Sequence, residues 1–139
     1  MHPQGQLGKA LVTVDEICTK GKDIPFINAN KTMRQAVKEL TRKRLGIVVV
    51  KNRGKKISLI TDGDCRREAN NLYNKSISSV ATKNPIWISD SAAALKAIEL
   101  MSQKKITSLL VARNQDINKK LKGCVGVIHM HEILLRGIK

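Results

Sequence analysis

The chain has 139 residues, 42% of them hydrophobic, enough for one compact domain or two closely packed halves with a buried core. A formal net charge of +15, from 26 basic and 11 acidic residues, raises the question of nucleic-acid binding. The lysines are scattered over both halves, and the aromatics are Phe26, Tyr73 and Trp87 alone, too few for a base-stacking platform, so nucleic acid is not the expected partner and a smaller anion stays open.

The longest apolar runs, such as LGIVVV at 45–50, fall well short of the roughly 20 residues that cross a bilayer. The opening MHPQGQLGK has no apolar stretch of the kind a signal peptide needs. No membrane association is expected, and a cytoplasmic location follows by default. Cys18, Cys65 and Cys124 are odd in number, far apart and in no C-x-x-C pair, so they read as reduced apolar side chains.

In chain order, Pro25 in DIPFI opens an extended segment and biases the residue before it the same way. Polar residues 30–32 offer side-chain oxygens to the N–H groups of a helix start. Met33, Ala36, Val37 and Leu40, spaced i, i+3, i+4, i+7, then give a helix with one buried face. It ends in the basic turn RKRLG at 42–46, favourable at the negative end of the macrodipole. Strands IVVVK and KISLI flank NRG at 52–54, which has hairpin-turn chemistry, and a short helix is expected over 63–72. YNKSISSVAT at 73–82 reads as a linker with a short helical segment.

From Lys83 the series recurs. Pro85 opens the extended segment, residues 89–91 offer the cap, and Ala94, Ala97, Ile98 and Met101 form the helical stripe. QKKIT at 103–107 ends that helix, SLLVA and GCVGVI pair across the polar loop RNQDINKKLK, and a closing helix is expected over 130–136. Lys104 matches Lys43 at an offset of 61 and His129 matches Thr61 at 68, so the second hairpin carries seven extra residues, at a loop tip where length costs little. The fold class is therefore α/β: strand, helix, strand, strand, helix, twice. One copy of about 50–60 residues has too little core to stand comfortably alone, so the copies are expected to pack sheet to sheet with pseudo-twofold symmetry.

Each copy ends its last strand on a polar residue followed three positions later by a carboxylate: Thr61 and Asp64 in LITDGDCRR, His129 and Glu132 in HMHE. Thr61 and Asp64 fit a capping box, in which hydroxyl and carboxylate satisfy the chain's own N–H groups. The same strand-to-helix junction also aims N–H groups at an anion. Cap and ligand pocket are both open at this point.

The duplicated unit with these residues resembles a tandem pair of CBS (cystathionine beta-synthase) domains, a regulatory module that often binds adenine nucleotides. HPQGQLGKAL, LITDGDCRR and HMHE are similar to the C-terminal part of the bacterial arabinose 5-phosphate isomerase family. The resemblance implies a linker remnant at 1–16, repeats at 17–74 and 75–139, no sugar-isomerase (SIS) domain, and therefore no catalysis and no cofactor. His2 matches an active-site histidine of that family, a proposed acid or base in aldose–ketose interconversion, but stands without a pocket. The family further implies Thr61 for a phosphate, Asp64 for ribose hydroxyls, and main-chain groups around Ile24 and Pro25 for a base. Arg66 and Arg67 would pair with phosphate or lie on a solvated face, and Asp62 is expected to point to solvent or into a salt bridge.

The second copy departs from the CBS pattern, with His129 in the threonine's place and Glu132 in the aspartate's. A second site of His129, His131 and Glu132 is thus either empty or suited to a different sugar nucleotide. As metal ligands these residues are rejected on spacing, since HEILL puts Leu135 where a zincin helix has its second histidine. The expected function is ligand sensing by population shift, with an adenine nucleotide or CMP-sugar as ligand, a homodimer as the assembly and a SIS catalytic domain as the target. Two alternatives are a dimerisation module without nucleotide binding and a basic nucleic-acid-binding protein.

Overall fold

The computed structural model describes residues 12–42, 44–113 and 123–138, so His2 and most of the long polar loop lie outside the described residues. In chain order it forms α1 (Val14–Ile17), β1 (Thr19–Lys20), β2 (Phe26–Asn28), α2 (Met33–Arg42), β3 (Ile47–Lys51), β4 (Ile57–Thr61) and α3 (Asp62–Arg67). Then come α4 (Ile77–Val80), β5 (Trp87–Ser89), α5 (Ala94–Lys104), β6 (Ser108–Ala112), β7 (Cys124–His129) and α6 (Met130–Leu134). The α/β class and the duplicated order of elements are borne out. No helix among the described residues is long and apolar enough to cross a membrane.

One compact unit is built from residues 22–85. Its sheet runs β2–β3–β4, with β2 parallel to β3 (Phe26 opposite Val49) and β3 antiparallel to β4 (Ile47 opposite Thr61). Met33, Ala36 and Leu40 of α2 close over Val48, Val50 and Ile60, joined by Ile77 and Val80 of α4. Each large side chain so buried contributes about 1.5–3 kcal/mol. Of the polar residues 30–32, Thr32 does the capping: its Oγ1 accepts the Gln35 N–H at 3.1 Å while Gln35 Oε1 accepts the Thr32 N–H at 3.0 Å.

The first hairpin is longer than NRG alone. β3 ends at Lys51 and β4 starts at Ile57, and the Asn52 N–H donates to the Lys56 carbonyl at 2.8 Å across a turn in which Gly54 and Lys55 are both left-handed. Likewise α3 stops at Arg67, short of residue 72, and gives way to a 3-10 turn at Ala69–Asn74, where Asn71 leaves the helical region at φ −143°. Residues 73–82 belong to this unit. Ser76 caps α4 by accepting the Ser79 N–H, and Thr82 exchanges backbone hydrogen bonds with Leu59 at 2.7 and 3.1 Å.

The other unit gathers residues 12–21, 86–113 and 123–138. Its sheet order is β1–β7–β6–β5, with β5 parallel to β6 and with β6 and β1 each antiparallel to β7. Ala94, Ala97 and Met101 of α5 pack with Leu109, Val111, Ile128 and Ile133, and Val14, Ile17 and Cys18 complete that core. The stretch read as linker up to residue 16 therefore carries a helical turn with Val14 fully buried. β1 can lie against β7 because residue 126 is glycine: a Cβ there would meet the Thr19 carbonyl oxygen at 2.8 Å and Cys18 Sγ at 3.0 Å.

Ser89 and Ser91 do not cap α5. Ser89 Oγ accepts the Ser91 N–H instead, and Ala93, at the N-cap position, has no side-chain acceptor. The Ala94 N–H goes to the Val12 carbonyl at 2.8 Å and the Val14 N–H to the Ala92 carbonyl at 2.8 Å, so the chain ahead of the first repeat supplies the missing cap. At the other end Lys105 turns left-handed (φ 57°, ψ 44°), and the Ile106 N–H returns to the Met101 carbonyl at 3.0 Å in a Schellman closure.

Candidate functional site

β4 delivers Thr61 to the mouth of α3, and there the capping box is complete. Thr61 Oγ1 accepts the Asp64 N–H at 3.1 Å, and Asp64 Oδ2 accepts the Thr61 N–H at 2.9 Å. Asp64 is buried, and its second oxygen is held in an ion pair by the guanidinium of Arg67, a side chain 69% exposed. The Thr82 hydroxyl stands 3.4 Å from the same carboxylate. Arg66 lines an open depression of about 600 Å³ together with Asp62, Asn70 and Tyr73, and it makes no ion pair among the described residues. Asp62 is exposed, and its N–H donates to the Gly46 carbonyl at 3.0 Å. Ile24 and Pro25 are buried ahead of β2, with β3 between them and Thr61, and the Pro25 carbonyl accepts the Val49 N–H at 2.8 Å.

The second repeat builds the same junction from different groups. Glu132 Oε1 accepts the His129 N–H at 2.8 Å, and His129 Nδ1 accepts the His131 N–H at 3.0 Å, which puts the proton of a neutral His129 ring on Nε2. The two imidazoles meet edge to face, 4.9 Å between centroids. Glu132 Oε2 accepts the Thr19 hydroxyl at 2.8 Å. Burial pushes the Glu132 carboxyl above its ordinary value, against the opposing pull of those two donors. Nearby, burial lifts the Cys18 thiol to about 11, with Lys20 acting against it.

Thr19 and Thr82 escape a reading by periodicity, yet each places its hydroxyl on the capping carboxylate of the repeat its segment packs against. The signal available was the TK pair, CTKGK and ATKNP, at matching points of the two copies. Ser108 was also missed. It stands where the first copy has Ile47, pairs across the sheet with His129, and its buried Oγ has no hydrogen-bond partner among the described residues. Among those residues no group of three His, Cys, Asp or Glu side chains is arranged to hold a metal.

The family model of the CBS domain matches residues 14–71 and 77–138. Across 99% of its length the chain is 37% identical to the arabinose 5-phosphate isomerase of Salmonella typhi, and it covers 41% of that protein, so it spans under half the length of such curated relatives. Among solved structures, a CBS domain protein from Pyrobaculum aerophilum complexed with AMP superposes with a TM-score of 0.70 at 22% identity, covering 89% of this chain and 96% of the other. A CBS domain pair in complex with 5-methylthioadenosine and S-adenosyl-L-methionine gives 0.75 at 21%, covering 91% and 98%. These two likenesses are likenesses of fold.

Proposed function

We propose a function from one premise: this chain belongs to the CBS domain family, two copies of which span most of its length. It is a regulatory, ligand-sensing pair that binds an adenine nucleotide or a CMP-sugar and does no catalysis of its own. The observation that carries this reading is the state of Thr61. Its Oγ1 accepts the Asp64 N–H, and a hydroxyl that accepts still has a proton to give, so the same side chain caps α3 and donates to a phosphate. Asp64 uses one oxygen for the Thr61 N–H and the other for Arg67, so sugar hydroxyls reach it when the exposed Arg67 side chain swings away. Ile24 and Pro25 supply main-chain and apolar surface for the base, and Arg66 and Arg67 meet the phosphate.

The adenine preference is supported by the ligands of the two structural neighbours. Kinship with the isomerase supports a SIS catalytic domain as the regulated partner and a cytoplasmic setting. Leu135, 86% exposed beside Leu134, supports a homodimer, since a second copy would cover it.

The test is a thermal-shift panel of AMP, ADP, ATP, CMP and a CMP-sugar on the wild type and on Asp64→Asn. A ligand at 100 times its Kd adds about 2.7 kcal/mol of stability. Shifts with none of them, while the chain still dimerises, would leave an assembly module.

A further inference from the structure

Ile47 stands opposite Thr61 in the first sheet and Ser108 opposite His129 in the second, so the two repeats differ at both members of the same cross-strand pair. Side chains paired in this way share a face of the sheet, their Cβ atoms about 4.5–5.5 Å apart. Where the cap is a hydroxyl, which keeps its proton at any ordinary pH, the partner is a fully buried isoleucine. Where the cap is an imidazole, the partner is Ser108, 5% exposed, whose buried Oγ has no hydrogen-bond partner among the described residues. A buried hydroxyl without a partner is costly, and this one sits beside a ring that must change its hydrogen bonding when it takes up a proton.

We infer that His129 is a pH-sensitive helix cap. Neutral, its Nδ1 accepts the His131 N–H and closes α6; protonated, both ring nitrogens are donors, so the ring releases that N–H and donates to Ser108 Oγ instead. The Thr61 cap of the first repeat has no such second state. Stability from the His129 cap is therefore present above the titration of the ring and lost as pH falls through it. α6 is also clipped to the segment ahead of the first repeat, by the Thr19 hydroxyl on Glu132 Oε2 at 2.8 Å and by the Arg136 guanidinium on the Glu16 carbonyl at 3.2 Å. Uncapping α6 thus loosens residues 12–21 as well. The ionisable groups on the elements around the ring are His131 and Glu132 on α6, Cys18 and Lys20 at β1, and Lys104 and Lys105 ahead of β6. Glu132 draws a proton to the ring and the lysines oppose it, but that carboxylate is already engaged by the His129 N–H and the Thr19 hydroxyl. No ligand takes part.

The experiment follows the His129 ring nitrogens by NMR, together with amide hydrogen exchange, from about pH 8 to about pH 5 in the wild type, His129→Thr and Ser108→Ala. At the upper end the wild-type spectrum should show an unprotonated Nδ1. On acidification the His131 amide should lose about fivefold in protection, measured against free-peptide exchange at the same pH, with residues 12–21 loosening in step. His129→Thr restores the cap of the first repeat and should show neither change, although it keeps His131 and Glu132. Ser108→Ala takes away the acceptor of the protonated ring and should lower the pH at which His129 titrates. The same pH dependence in His129→Thr, or an unmoved ring midpoint in Ser108→Ala, would overturn the inference. So would a wild-type ring that protonates while the His131 amide stays protected, a result that needs no variant to fold.

Discussion

Asp64→Ala should destabilise the protein by about 3 kcal/mol, and Asp64→Asn by about 1. Alanine removes the acceptor of the Thr61 N–H at a junction where Asp64 is 5% exposed. Leaving that N–H partly buried without a partner costs about 1–3 kcal/mol. The ion pair to Arg67 contributes at most about 1 kcal/mol, because that side chain is mostly in water, and the Thr82 hydroxyl at 3.4 Å contributes less. Asparagine keeps an oxygen for the Thr61 N–H and loses only the charge. Urea unfolding of the three proteins, compared at constant m, reads the difference directly. An Asp64→Ala midpoint within 0.5 kcal/mol of wild type would show that the box is not holding α3, and equal losses in both variants would place the stability in the ion pair. The expected gap between them is why the binding panel uses asparagine.

Other outcomes follow from burial and backbone. The Glu132 carboxyl titrates above its ordinary 4.5 in the folded protein, so between those pKa values the native state holds more protons than the unfolded one. Stability from this group is present at low pH and lost as pH rises through that window, so thermal unfolding from pH 4 to 7 should show the Glu132→Gln variant gaining on the wild type. Cys18 and Cys124, both lifted to about 11 by burial, should react with a disulfide reagent at pH 8 about 100-fold more slowly than in denaturant, and faster native reaction would contradict the packing around them. Lys105→Gly relieves a left-handed lysine at the end of α5 and should raise the unfolding free energy by about 1 kcal/mol in a urea titration.

What the sequence made legible was local. The stripe Met33, Ala36, Leu40 and its counterpart Ala94, Ala97, Met101 mark buried helix faces because the spacing is set by one helix's own geometry. The T-x-x-D box was legible for the same reason, since both of its hydrogen bonds close within four residues. The cap of α5 was not. Its acceptor is the Val12 carbonyl, more than 80 positions away, and the nearby serines that mimic a cap signal are occupied with each other. β1 pairs with β7 across a similar gulf, and two residues of TK give periodicity nothing to read. The hairpin loop was underestimated because NRG has turn composition but Lys55 also takes a left-handed φ, a state that residue type does not advertise.

The opposition between cap and pocket dissolves once donors and acceptors are counted separately. A capping hydroxyl is used only as an acceptor, and a phosphate needs only a donor, so Thr61 serves the fold and the proposed ligand at once. His129 shows what substitution does to that economy. Its Nδ1 takes over the accepting role toward the backbone, but the adjoining positions have turned from glycine and arginines to histidine and leucines. Both junctions close their helix, the first through a hydroxyl that keeps a proton to give and the second through an imidazole nitrogen.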